Sequence, residues 1–354
     1  MLDLLKVFIP AFAAFMIGIA GTPLLTHYLY KYRVWKKSPG KTALSGEPAV
    51  EFAKLRDETE TKTPRMGGIV IWASVAATTL FLFLAAWLFP ESVFAKFSFF
   101  SREQTWIPLT TLVLGALVGL VNDILDVVSA DGEKGIPLRW RLAFVAALSF
   151  FIGWWFYAKL GVDSVSFFWD GTVEIGWLVV PLFILVSVFL YASGVIDGID
   201  GLSGGVFASI FFAYSLIAFY QHQIDIAAFC ATVVGALLAF LWFNVPPARF
   251  WMTETGSMGL TLTIAVVAFM TDTLGDGRGF SVLPVIAFLL VATVFSNIIQ
   301  VVSKRLRGGK KVFRIAPLHH HFEAIGWPGY KVTMRYWILS IIFAIVGVSL
   351  ALLK

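Results

Sequence analysis

Of 354 residues, 58% are hydrophobic and only 14% charged, against about a quarter charged in an ordinary soluble domain. That balance, with 34 Phe and 13 Trp, excludes a disordered chain and a soluble two-domain enzyme, and the lone cysteine, Cys230, excludes an intramolecular disulfide framework. The net charge of +5 says little as a total, because in a membrane protein what matters is which loops hold the Lys and Arg.

Crossing a hydrocarbon core roughly 30 Å thick takes about 20 apolar residues per helix. In chain order, stretches near that length fall at 7–29, 67–90, 105–121, 141–159, 175–193, 202–220, 225–243, 256–271, 281–302 and 332–353. The first is too long for a signal-peptide core and has no cleavage site before its basic flank, so it is predicted as a helix. About ten transmembrane helices account for the whole chain, which predicts an all-α polytopic membrane protein forming a single domain over 1–354.

The loops after the first, third, fifth, seventh and ninth stretches carry 20 of the 27 Lys and Arg, among them Lys41, Lys54, Arg56, Lys62, Lys134, Arg141 and the run from Lys304 to Arg314. The opposite face holds Lys6, Lys96, Arg102, Lys159, Arg278 and Lys354, and Arg335 lies just inside the last stretch. By the positive-inside rule the first set is cytoplasmic and both termini are outside.

Polar residues that spanning does not require collect on that same side. After the third stretch come Asn122-Asp123 and Asp126; after the fifth, Asp197-Gly-Ile-Asp200-Gly201; after the seventh, Asn244 and then Trp251-Met-Thr-Glu254-Thr-Gly-Ser257; after the ninth, His319-His320-His321-Phe-Glu323. Carboxylates gathered at a membrane surface repel one another unless a cation or ligand relieves them. Oxygen donors without cysteine, beside abundant Lys and Arg, suit Mg²⁺ with a phosphorylated substrate better than zinc. Each motif also has a plainer reading. Asp123 or Asp126 alone is a solvated helix cap, Asp197-Gly-Ile-Asp200-Gly is a turn, and Glu254 caps the eighth stretch. Adjacent histidines point in different directions and make a poor zinc site, the Lys-rich loops are lipid anchors by default, and only Trp251 among the tryptophans stands inside a polar motif.

Taken in order, these motifs resemble the polyprenyl-phosphate N-acetylhexosamine-1-phosphate transferase superfamily from about Lys62 to the C-terminus. Thr63-Pro64-Arg65-Met66-Gly67-Gly68, Asp197-Gly-Ile-Asp200-Gly-Leu, Asn244 and Glu254-Thr-Gly-Ser carry the likeness. The segment Phe313-Arg-Ile-Ala-Pro-Leu-His319-His320-His321-Phe-Glu-Ala-Ile-Gly-Trp327-Pro resembles the loop that marks the branch acting on phospho-N-acetylmuramoyl-pentapeptide. The resemblance implies a ten-helix, homodimeric, Mg²⁺-dependent phosphoglycosyl transferase of the bacterial cytoplasmic membrane. Its substrates would be UDP-MurNAc-pentapeptide and undecaprenyl phosphate, its products lipid I and UMP. It further implies Mg²⁺ and diphosphate at Asp123, Asp197 and Glu254, with Asn122 and His319 also at catalytic positions. Uridine would meet Asp200, Asn244 and Trp251, diphosphate oxygens Lys62 and Arg141, and the sugar-peptide and phosphates His319, His320 and His321.

The motifs depart from that pattern at Asn122, where an acid is expected, at Gly194 in place of Asn, at Arg65 in place of Thr, and at Thr253-Glu254 in place of Gly-Asp. Glu254 keeps the charge. A phosphate monoester with a second pKa of about 6 is largely dianionic at neutral pH and attacks without a general base, so Asn122 does not by itself remove the chemistry. Three other readings stay open at this point: a relative acting on UDP-GlcNAc or another UDP-HexNAc, a member that binds without turnover, and a transporter or flippase. A transporter would carry acids near the bilayer midplane, whereas the central portions of the ten stretches lack Asp, Glu, Lys and Arg.

Overall fold

A computed structural model describes residues 1–37, 61–101, 104–129, 135–167, 171–275 and 277–353. Lys41, Lys54, Arg56, Arg102, Lys134 and Lys354, all part of the charge partition, lie outside the described residues. Among the described residues nine helices are long and apolar enough to cross a membrane, and a tenth, shorter apolar helix completes the set expected from the hydropathy pattern. In chain order these are α1 (Leu2–Lys31), α2 (Ile69–Leu88), α3 (Trp106–Val128), α4 (Leu138–Leu160), α5 (Val179–Ser193, lengthened by flanking 3-10 turns to a span over Gly176–Ile196), α6 (Leu202–Tyr220), α7 (Ile224–Asn244), α8 (Glu254–Met270, the shorter one), α9 (Phe288–Leu306) and α10 (Gly329–Leu352).

The helix α8 lies at the centre. Every residue from Thr255 to Met270 is buried, and α3, α5, α6 and α2 pack around it. A helix enclosed by protein on all sides needs no lipid-facing stripe, and its 17 residues rise about 26 Å. The peripheral helices α1 and α10 turn large apolar side chains outward, as a bilayer solvent requires. With lipid outside, helices associate through close backbone approach more than through apolar burial, and small residues permit it. At the α3–α8 crossing a Cβ added to Gly115 would stand 2.9 Å from the Gly259 Cα, so the two backbones touch there.

Three local features differ from the hydropathy reading. α3 continues to Val128, which carries Asn122, Asp123 and Asp126 on its last turns instead of in a following loop, and α4 starts early enough to include Arg141 in its first turn. Protein donors satisfy Asp123 Oδ2 inside the bundle, so the helix need not end to bring that oxygen to water. The ninth stretch is broken into a short helix, Leu283–Ile286, and α9, with Ala287 between them at φ −95 and ψ 25. Between α4 and α5 an antiparallel hairpin, β1 (Ser164–Phe167) with β2 (Gly171–Glu174), pairs Val165 with Val173. It is pinned to the α8–α9 connection by Asp272, which accepts from the Ser166 N–H at 2.8 Å, from the Ser166 hydroxyl and from the Phe280 N–H at 3.1 Å. Burial pushes the Asp272 carboxyl above the usual carboxylate range, and the hydrogen bonds from Ser166, Phe280 and Thr273 pull it back.

Replacing Gly115 by Val is expected to force α3 and α8 apart. Overpacking of this kind costs about 1–3 kcal/mol, read as a lowered thermal unfolding midpoint of the detergent-purified protein against a lipid-facing control such as Leu185→Ala, whose side chain is 65% exposed.

Candidate active site

At the end of the bundle where α3 and α5 finish and α6 and α8 begin, one residue gathers the rest. Thr253, immediately before α8, adopts φ 55 and ψ −167, a left-handed conformation that a β-branched residue rarely accepts. Two carboxylates hold it there. Asp123 Oδ2 accepts from the Thr253 hydroxyl at 2.5 Å, and Asp197 Oδ2 accepts from the Thr253 N–H at 2.7 Å. Asp123 Oδ2 also accepts from the Thr255 N–H at 2.8 Å and the Thr255 hydroxyl at 2.6 Å, so it caps α8 from a neighbouring helix. Asp197 Oδ1 takes the Ser203 hydroxyl at 2.7 Å. Asp123 and Asp197 therefore converge on a single residue from α3 and from the α5–α6 turn.

The glycine-rich segment before α2 lies alongside. Trp251 N–H donates to the Pro64 carbonyl, Gly67 N–H to the Trp251 carbonyl and Gly68 N–H to the Met252 carbonyl, a short main-chain ladder between two motifs far apart in sequence. Met66 N–H adds a bond to the Thr253 hydroxyl at 3.1 Å. Gly68 is required by contact: a Cβ there would run into the Gly256 backbone. The other side of the site is tied by Asn244, 1% exposed, whose Oδ1 accepts from Gly201 N–H at 2.9 Å while its amide donates to the Phe250 carbonyl at 2.7 Å. Asp200 accepts the Trp251 indole N–H at 3.0 Å and the Ala248 N–H at 3.0 Å. Asn244 and Asp200 thus spend these groups on joining the 197–201 turn to the 248–253 loop.

Two guanidiniums reach the carboxylates. Arg65 pairs with Asp126 at 2.7 Å and stands 3.9 Å from Asp123 Oδ1, the Asp123 oxygen that the threonines leave unused. Arg141, from the first turn of α4, pairs with Glu254 Oε1. Asn122, beside Asp123 on the last turns of α3, accepts the Ile136 N–H on its Oδ1 at 2.8 Å and ties the end of α3 to the segment before α4. Lys62 is exposed in the segment leading to Pro64.

The three histidines divide. They lie on a short helix, Leu318–Ala324, with His319 and His320 buried. A Cβ at Gly198 would be 2.7 Å from the Nε2 of both, so both rings close on the Asp197–Asp200 turn. His320 Nδ1 meets Glu323 Oε2 at 2.7 Å. His321 points elsewhere: its Nδ1 accepts the Arg314 N–H at 3.2 Å and its ring meets Phe313 edge-on.

Sequence reasoning passed over the joining roles of Thr253, Arg65 and Ser203. Nothing in a threonine or serine alone signals a bridge. Two signals were nonetheless present in the chain: Arg65 is a charge in a glycine-rich motif at the foot of a membrane helix, and Asp126 is an acid one helical turn beyond Asp123, on the same face. Among the described residues no three His, Cys, Asp or Glu side chains stand together as a preformed metal cage. Mg²⁺, however, is commonly held by one or two carboxylates completed by water and substrate phosphates. The buried Asp123 Oδ1, with no hydrogen-bond partner, and the neighbouring Asp197 fit that requirement.

The glycosyl transferase family 4 profile matches residues 105–272, which include α3 and its acids, the Asp197–Asp200 turn and α8. A phospho-N-acetylmuramoyl-pentapeptide-transferase of Geobacillus thermodenitrificans (strain NG80-2) is 33% identical over 340 residues, covering 95% of this chain and 94% of the relative. That of Bacillus mycoides (strain KBAB4) is 33% identical over 347 residues, 96% of each chain. The chain belongs to the phospho-N-acetylmuramoyl-pentapeptide-transferase family. The likeness covers nearly the whole bundle and is not confined to the motifs. Asn244→Ala is expected to leave the Gly201 N–H and Phe250 carbonyl unpaired in the interior, at about 1–3 kcal/mol each. The thermal unfolding midpoint should therefore fall.

Proposed function

We propose that the protein transfers phospho-MurNAc-pentapeptide from UDP-MurNAc-pentapeptide to undecaprenyl phosphate, giving lipid I and UMP. It would act as a single membrane domain, in a homodimer, with its site on the cytoplasmic face. The relatives named above carry this reaction class in their name. The observation in the chain that supports it most is the convergence of Asp123 and Asp197 on Thr253 beside Arg65 and Arg141, at one end of a membrane bundle. There, oxygen donors and cations meet where a lipid-borne phosphate and a water-borne diphosphate can both arrive. The concentration of Lys and Arg in loops at that end supports its cytoplasmic orientation.

In the reaction, an oxygen of the lipid phosphate forms a bond to the sugar-linked phosphorus, and the bond from that phosphorus to the bridging oxygen breaks. The electron pair leaves with UMP. Asp123, Asp197 and Glu254 would hold Mg²⁺, whose chemistry there would be charge neutralisation on phosphate oxygens. Arg141 and Lys62 would orient the diphosphate. Trp251, its N–H oriented by Asp200, would stack on uracil, and Asn244 would hold the two loops that form this uridine side. His319 and His320, drawn onto the 197–200 turn, would meet the sugar phosphate, and His321 the peptide side.

UMP release from UDP-MurNAc-pentapeptide by purified protein with a polyprenyl phosphate tests the assignment, and competition by UDP-GlcNAc tests the donor. Asp197→Asn is expected to lower turnover at least about a hundredfold with the protein still folded, and to raise the Mg²⁺ concentration needed for half activity. Unchanged turnover would remove the metal assignment. Base stacking on an aromatic ring is worth roughly 1–3 kcal/mol, so Trp251→Ala should weaken UDP binding about five- to a hundredfold in calorimetric titration. Equal affinity with a lowered melting temperature would mean that the indole only anchors the loop.

A further inference from the structure

Glu254 and Arg141 form a closed pair with unmet capacity on both sides. Glu254 opens α8, and Arg141 lies in the first turn of α4; their side chains are 24% and 22% exposed. Behind the pair, one turn further along each helix, Val145 and Met258 belong to one buried apolar cluster with Tyr191 and Leu262. α4 and α8 both pack against α5, which carries Tyr191, and that common support holds the two backbones while the pair opens by side-chain rotation. Glu254 Oε1 takes the guanidinium, while Glu254 Oε2 and Arg141 Nε are buried with no hydrogen-bond partner among the described residues. Arg65 contrasts with Arg141. Its Nε is likewise buried without a hydrogen-bond partner among the described residues, but its terminal nitrogens are braced by two carboxylates, Asp126 and Asp123, where Arg141 meets Glu254.

A carboxylate in direct contact with a guanidinium, as Glu254 is, is a poor ligand for a divalent cation, whereas Asp123 Oδ1 stands 3.9 Å from Arg65 with no hydrogen bond to it; no three-ligand cage is assembled among the described residues. A diphosphate changes the balance, because its oxygens offer the planar fork of an arginine a bidentate acceptor of higher charge. We propose that Arg141 is a positioning residue that holds Glu254 away from the metal in the free enzyme and releases it by transferring to the diphosphate of the nucleotide. The exchange replaces a guanidinium–carboxylate pair by a guanidinium–phosphate pair and a carboxylate–cation pair. Divalent cation and nucleotide diphosphate then bind in synergy through this chain's own ion pair, in addition to any direct contact between them. The inference rests on the metal and diphosphate assignment made under the proposed function, and deepens it.

Mn²⁺ serves as the probe, its free concentration followed by electron paramagnetic resonance on the full-length detergent-purified protein, with and without UDP. Arg141→Gln, and independently Arg141→Met, which keeps an unbranched stem for packing, are expected to bind Mn²⁺ about fivefold or more tightly than wild type in the absence of UDP. Both should lose most of the gain in Mn²⁺ affinity that UDP confers on wild type. Adding Glu254→Gln to Arg141→Gln should cancel the increase, because the freed ligand is Glu254. Unchanged or weaker Mn²⁺ binding by folded Arg141 variants without UDP would overturn the exchange. So would an increase that survives Glu254→Gln. Wild type that binds UDP but no Mn²⁺ in either state would overturn the metal assignment itself, and is distinguishable from a failure confined to Arg141.

Discussion

Asp123 has no exposed surface, and a carboxylate so placed persists only if protein donors replace its water. Three donors from Thr253 and Thr255 do so at a single oxygen, and that requirement organises the site. It lets α3 continue past the acids, caps α8 from a neighbouring helix, and holds Thr253 in a backbone conformation it would otherwise leave. Asp197 then finds the Thr253 N–H, and Met66 the Thr253 hydroxyl, so four segments distant in sequence are bound to one another.

The same arrangement explains why the central helix can be short. α8 is surrounded by protein, and its N-terminus meets carboxylates instead of headgroups. Its first-turn acid, Glu254, lies next to the positive end of the helix and opposite Arg141, a place where negative charge is favoured twice over. At the other end of α8, Asp272 performs an architectural version of the task, binding the β-hairpin through neutral donors, with no guanidinium among its hydrogen-bond partners in the described residues. Comparison of the two ends separates a carboxylate that braces a fold from carboxylates placed beside cations, where a diphosphate can compete for them.

The polar motifs turn out to combine architecture with chemistry. Asn244 and Asn122 each spend an amide oxygen on a backbone N–H, and Asp200 accepts from Trp251 and Ala248. These bonds set the distance between the loops that the proposed uridine and diphosphate contacts require. In a solvent of lipid, where apolar burial adds little between helices, such hydrogen bonds and close glycine contacts carry an unusual share of the positioning.

The membrane class, the ten helices and the end at which polar residues collect were legible in the linear chain, because a bilayer imposes length and apolarity on each segment separately. The candidate acids and Trp251 were legible for a related reason: a charge or indole in a polar motif at a helix end is not explained by spanning. Tertiary structure alone decided that Asp123 and Asp197 share Thr253, that Arg65 faces Asp126 and Arg141 faces Glu254, that His321 parts from His319 and His320, and that a hairpin hangs from Asp272. Those pairings depend on the packing of α3 against α8 and of α4 and α8 against α5, and on where each side chain finds a donor, and a hydrogen bond between residues far apart in the chain leaves no periodicity for the sequence to display.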